Sequence, residues 1–216
     1  MDTVATVPFS STRAYLLEAR YEFLRLLRTP SFSLPCLLFP PVFYLLFGVL
    51  LGGKGGPVAA QYLLAGYGVF GVIGVALFGF GVTVALDREQ GLLTLKRAQP
   101  MPPGAYLVAK MAMALLFAAI ILLLLAALAA GVAHVQLSAA QWAAWAATCL
   151  VGVLPFSALG LWLGTLVGGR GAPALINLVY LPMAFLSGLF IPLSMLPKLL
   201  QQIAPLWPAY HLATIA

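Results

Sequence analysis

Charged side chains are scarce in this chain, and one group of them is crowded. Asp87, Arg88, Glu89, Lys96 and Arg97 fall within eleven positions, with long uncharged runs on either side. Such a cluster can form a short capped helix that docks a soluble partner by charge and shape. It can equally remain a solvated loop whose charge only orients the chain, and both readings stay open on charge pattern alone. Asp87 followed by Gln90 has the spacing of a capping box. That predicts a helix from Arg88 to about Ala98, stopped by "QPMPPG".

Other candidates for chemistry are weaker. "GVLLGGKGG" at 48–56 nearly matches a phosphate-binding loop. Gly55 stands where the magnesium-holding Ser or Thr belongs, and an apolar span replaces the strand that should precede it. The match is therefore read as chance, and the chain itself is not expected to hydrolyse ATP. Cys36 and Cys149 sit in or beside apolar runs, with no CxxC or Cys/His cluster, so each is expected to act as a small buried hydrophobe. His134 and His211 lie in loops without other ligand types beside them, and no metal or cofactor site is expected. Lys110 lies near a span end and is expected to snorkel to water. With no ionisable residue deep in a span, ion-coupled pumps, charged-filter channels and acid–base membrane enzymes are disfavoured. The mild polar groups Thr83, Thr148, Ser157, Thr165, Asn177 and Ser187 are expected to bond to backbone or to neighbouring helices. Of these, Asn177 and Ser187 are the candidates for a substrate path.

The elements that carry these residues follow from composition. The 216 residues are 63% hydrophobic and 7% charged, with a mean hydropathy of +1.06. A soluble domain carries about 25% charged residues. Too little polar surface remains to coat a water-facing globule, so the chain reads as dissolved in lipid. The net charge of +6 is scattered rather than patched, which argues against nucleic acid.

One transmembrane domain over 1–216 is expected, all-α and polytopic. Residues 11–28 predict an amphipathic helix in the membrane interface, capped by Ser11 or Thr12 and ended before Pro30. Tyr15, Leu16, Ala19, Phe23, Leu26 and Leu27 fall on its apolar face; Glu18, Glu22 and Arg25 fall opposite, with Glu22–Arg25 a plausible pair. Apolar spans are predicted at 33–52, 61–86, 105–132, 142–167 and 172–191. Prolines 35, 40 and 41 should kink the first of them. Residues 192–212 read as a proline-rich outer segment that re-enters or caps the bundle, with a short helix starting at Pro197. With the N-terminus in the cytosol, nine of the eleven basic residues lie inside and only Lys54 and Lys198 outside, a strong positive-inside bias. Tyr62, Trp142, Trp145, Trp207 and Tyr210 then fall near outer span ends, where interfacial aromatics belong. Gly160, Gly164 and Gly168 form GxxxGxxxG on the fourth span, a pattern for close helix packing within one subunit or across a dimer.

Two runs carry a family resemblance. "DREQGLLTLKRAQPMPPGAYLVAKMA" is similar to the cytosolic loop between the second and third spans of type-2 ABC transporter permeases, with Arg88, Glu89, Gly91, Leu95, Pro100 and Lys110 at the matching places. "FLSGLFIPLSMLPKLLQQIAPLWPAYHL" resembles that family's segment after the fifth span, through Ser187, Gly188, Phe190, Pro192, Leu196, Pro197, Ile203, Pro208 and His211. The resemblance implies the permease subunit of an ATP-driven exporter in a bacterial inner membrane, paired as a homodimer or with a second permease, embedded in membrane lipid and docked on a cytosolic ABC ATPase that binds ATP and magnesium. Its coupling element would comprise Asp87, Arg88, Glu89, Gly91, Leu92, Leu95, Arg97 and Pro100. The interfacial helix, through Glu18, Glu22, Phe23 and Arg25, would lie beside it. The cargo would be amphipathic: drug-like, lipid-linked or polysaccharide. Family members have six spans, and this sequence stops at Ala216, where a sixth would begin. The rival readings are a membrane scaffold that docks a partner without transport and, below it, a lipid-modifying enzyme.

Overall fold

The computed structural model describes residues 10–50, 56–99, 101–102, 104–191 and 193–216. Lys54, Pro100, Pro192 and most of the glycine loop at 48–56 lie outside the described residues. The described chain is all helix and turn, without strands. Helix α1 (Ser11–Leu27) is capped by the Ser10 hydroxyl, one residue earlier than expected. A turn at Arg28–Thr29 leads into α2 (Pro30–Phe43), with Pro30 in the first turn, where its missing N–H costs nothing.

Pro35, Pro40 and Pro41 stay inside α2, and the helix then widens into a π-helical stretch, Tyr44–Leu50. Proline removes donors from the ladder, so a wider turn just beyond it re-pairs the backbone within the segment. The second span is one long rod: α3 (Gly56–Gly74), a π-helical stretch (Val75–Val82) and α4 (Thr83–Glu89). It forms the axis of the bundle, and Val69, Val72, Ile73, Val75, Ala76 and Leu77 on it are wholly buried. Helices α6 (Ala105–Gly131) and α7 (Ala139–Leu166) pack against it. A complete capping box starts α7, with the Ser138 hydroxyl accepting from the Gln141 N–H and the Gln141 side chain accepting from the Ser138 N–H.

Among the described residues, four helices are long and apolar enough to cross a membrane: Pro30–Leu50, Val58–Glu89, Ala105–Gly131 and Ala139–Leu166. Helix α8 (Ala172–Leu186) is not, contrary to the expected span to residue 191. Its 15 residues reach about 22 Å at 1.5 Å per residue, short of a core of roughly 30 Å. Gly188 ends it with a left-handed turn, φ +78°, and the hydroxyl of Tyr62 donates to the Gly188 carbonyl. The proline-rich segment then folds back as short pieces, including α9 (Lys198–Ile203) after Pro197, and α10 (Pro208–Ile215) packs onto α3, α7 and α8.

The glycines of α7 work within the subunit. A Cβ on Gly160 would meet the Ala76 carbonyl at 2.9 Å, one on Gly81 would meet the Gly160 carbonyl at 2.5 Å, and Gly164 abuts the Gly81 backbone. Here α7 and the π-helical stretch touch backbone to backbone. Gly168 is not part of that stripe: it lies past the helix end, where a Cβ would sit 3.1 Å from the Glu89 carboxylate. Trp145, expected at a wet span end, is instead buried against Gly68.

Candidate functional site

The charged stretch at 87–97 is not one helix. Asp87 lies in the last turns of α4 and caps nothing. The chain reverses at Gln90–Gly91, with Gly91 at φ +73°, and α5 (Leu92–Ala98) runs on from there. The left-handed turn needs glycine, because a Cβ there crowds the following carbonyl. The result is a helical hairpin at one end of the bundle.

A buried ion cluster anchors its base. The Lys110 ammonium, 0% exposed, donates to Glu22 (2.5 Å) and to the Thr83 hydroxyl (2.7 Å) and forms an ion pair with Asp87 (2.9 Å). Asp87, 2% exposed, also accepts from the Arg25 guanidinium (3.0 Å) and the Tyr106 hydroxyl (2.8 Å). Arg25 donates in turn to Glu22 (3.1 Å). Two acids and two bases balance in charge, and the buried ammonium and both buried carboxylates each meet opposite charge within hydrogen-bond distance, with Arg25 reaching the cluster from the exposed side. Burial alone would disfavour the Arg25 cation, but its hydrogen bond to Asp87 and the charges of Glu22 and Asp87 outweigh it, and its pKa lies above the ordinary value.

Two expectations fail at this cluster. Lys110 does not snorkel, because two carboxylates meet it inside. Glu22 does not face away from the bundle: α1 runs along the first half of α6, with Tyr15 against Gly104, Glu22 on Lys110 and Phe23 on Phe117 at 5.2 Å. The acidic side of α1 therefore points inward, while Leu16 and Leu27 stand exposed.

Further contacts seat the hairpin tip. Arg88 donates to the carbonyls of Thr165 (3.0 Å) and Val167 (2.7 Å), the free C-terminal acceptors of α7. Glu89 approaches Arg170 at 3.9 Å. Lys96 pairs with Glu18 and lies over the Tyr106 ring at 5.4 Å. Leu93 packs against Phe80, Val84 and Tyr106. Sequence reasoning missed Leu93 and Tyr106; a leucine among leucines gives no signal, and a tyrosine nineteen residues from its carboxylate gives none either. What remains facing outward is Glu89, Gln90, Thr94, Leu95 and Arg97, with Leu95 61% exposed. Leu92 is half-buried, and Pro100 lies outside the described residues.

The second feature is a groove of about 670 Å³ between α2, α3 and α8, walled by Phe39, Phe43, Tyr67, Phe70, Tyr180 and Phe190. The exposed Asn177 lines it and brings an amide to an aromatic wall. Ser187 does not line it: the residue is buried, and its hydroxyl has no partner. His211 bonds to the Pro205 carbonyl (2.8 Å), and no metal-holding cluster occurs among the described residues.

A lipid-facing helix bundle with a charged hairpin at one end and a groove in its flank is the outline of a membrane permease. The chain belongs to the ABC-2 type transporter family, whose profile matches residues 14–216. It is 28% identical over 192 residues to a protein of Bacillus subtilis (strain 168) named "Putative transport permease YvfS", covering 88% of this chain and 78% of that protein. No solved structure matches.

Proposed function

We propose that the chain is the membrane-spanning subunit of an ATP-driven exporter, inert alone and worked by a cytosolic ABC ATPase dimer that seats the α4–α5 hairpin. The observation that carries this reading is the hairpin itself. Its inner side is fixed by ion pairs and by Leu93, whereas its outer side leaves Leu95 and Arg97 unsatisfied. A rigid element with an open apolar-and-charged tip suits transmission of force from a soluble partner. The same end carries Arg13, Arg20, Arg25, Arg28 and Arg170, which supports placing it, and the N-terminus, on the cytosolic side of a bacterial inner membrane.

The groove supports a small amphipathic cargo, held by ring faces with Asn177 to orient a polar group. Its volume lies within the range of drug-sized sites, about 300–1,000 Å³, which favours a drug-like or lipid-linked molecule over a polymer. Two subunits, identical or paired with a second permease, would form the path.

The test is Leu95→Asp. Co-expressed with its ATPase, the unaltered chain should copurify with it and show hydrolysis stimulated by the amphipathic dye rhodamine 6G. The variant should insert and elute normally yet lose the ATPase by at least tenfold, because an apolar anchor at the centre of a contact is replaced by a desolvated charge. A variant that keeps both the ATPase and its stimulation removes the hairpin from the coupling role. An unaltered complex that never responds to any cargo points to a scaffold instead.

A further inference from the structure

Helix α1 keeps both of its acids, together with Arg25, on one side. At 100° per residue, Glu18 and Glu22 fall on the side facing α5 and α6, paired with Lys96 and Lys110. Arg13 and Arg20 fall on the opposite side with Leu16, and Leu17, Tyr21 and Arg28, the residue that caps the helix end, lie along its flank; all six are exposed. None of these three arginines has an ion-pair partner among the described residues. The outward face is thus uniformly cationic and interleaved with apolar side chains, and it carries no acid.

We propose that this face of α1 binds acidic phospholipids of the cytosolic leaflet, the three arginines holding headgroup phosphates while Leu16, Leu17 and Tyr21 enter the acyl boundary. The inference rests on the chain's place in a membrane with α1 at its cytosolic side. Charge complementarity selects the occupant. An acidic headgroup supplies the phosphate oxygens that guanidinium groups bind bidentately, and the chain beneath it matches the apolar side chains between them. The apolar wall continues on neighbouring helices, where α2 exposes Leu34 and Leu38, and α6 exposes Leu107 and Val108. A soluble protein would suit the arginines but would leave this leucine-rich surface partly wet.

The full chain in detergent can be titrated with phosphatidylglycerol and, separately, with phosphatidylcholine, and bound lipids counted by native mass spectrometry. Phosphatidylglycerol should bind more tightly. Each arginine near an anionic surface contributes roughly a fivefold preference, so Arg13→Gln/Arg20→Gln/Arg28→Gln should lose on the order of a hundredfold. The triple Arg→Lys variant should keep most of the preference, which guards against a folding artefact. Equal binding of the two lipids, or a triple Gln variant as selective as the parent, overturns the proposal. So does a triple Gln variant that loses the ATPase while keeping its lipid preference, since the face would then belong to a protein. Failure of the exporter reading is separable: a chain that never binds an ATPase but still prefers phosphatidylglycerol leaves this inference standing.

Discussion

Lys110 shows how one side chain can hold three elements together. Its ammonium touches Glu22 on α1 and Asp87 on α4 while rooted in α6. Lys110→Met would leave the buried carboxylates of Glu22 and Asp87 sharing Arg25 as their one cation, with one negative charge uncompensated. Stranding buried charge in this way costs about 3–5 kcal/mol, so the unfolding free energy in mixed micelles should fall by that order. Lys110→Met/Glu22→Gln should recover part of the loss, because one stranded charge is gone; a double variant no better than the single would show that the two residues act independently. At Gly91 the cost is of another kind. A Cβ there meets nothing within 4 Å, so Gly91→Ala pays only for a left-handed backbone, about 1–2 kcal/mol, and Gly91→Asn should lose less. An alanine variant as stable as the parent would mean that the turn readily takes another conformation.

At the scale of elements, α7 and the second span meet where Gly81, Gly160 and Gly164 remove side-chain bulk. The obstacle at Gly164 is backbone, which cannot rotate aside as a side chain can. Gly164→Leu should therefore force the two helices apart and destabilise the bundle by about 1–3 kcal/mol or more, with an earlier thermal transition in detergent. Gly171→Leu serves as the control, since a Cβ there meets its nearest atoms only at 3.7 Å. Helix α5 depends on its neighbours in a different way. Seven residues are too few for a helix to hold alone in water. It is held by Leu93 against Tyr106 and by Lys96 on Glu18, so its position follows that of α1 and α6.

For the whole molecule, the two candidate features lie apart. The hairpin sits at the end of the bundle, and the groove opens on the flank between α2, α3 and α8. The long second span joins them, contributing Asp87 to the ion cluster and Tyr67 and Phe70 to the groove wall. In the exporter reading, force at the hairpin reaches the groove through this rod. Asn177→Leu tests the cargo end separately. Loss of one orienting hydrogen bond, worth about 1 kcal/mol, should raise the rhodamine 6G concentration for half-maximal ATPase stimulation about fivefold, with the ATPase still bound. An unchanged dye response would take Asn177 out of the path.

The sequence by itself determined the class of protein and its all-helical build. In hydrocarbon each backbone group must be satisfied within its own segment, so apolar length and local punctuation by proline and glycine carry most of the information. Pro30, Ser138 with Gln141, and the proline run after α8 could all be read locally. What only the tertiary structure decided was which way the charges point. The neighbours Glu22 and Arg25 stand 62 residues or more from Asp87 and Lys110 in the chain, and a charged residue beside a span looks the same whether it reaches for water or for an opposite charge. The direction of α1's acidic side, the division of the 87–97 stretch into two helices and the early end of α8 all depend on contacts between segments, and periodicity within one segment holds no record of them.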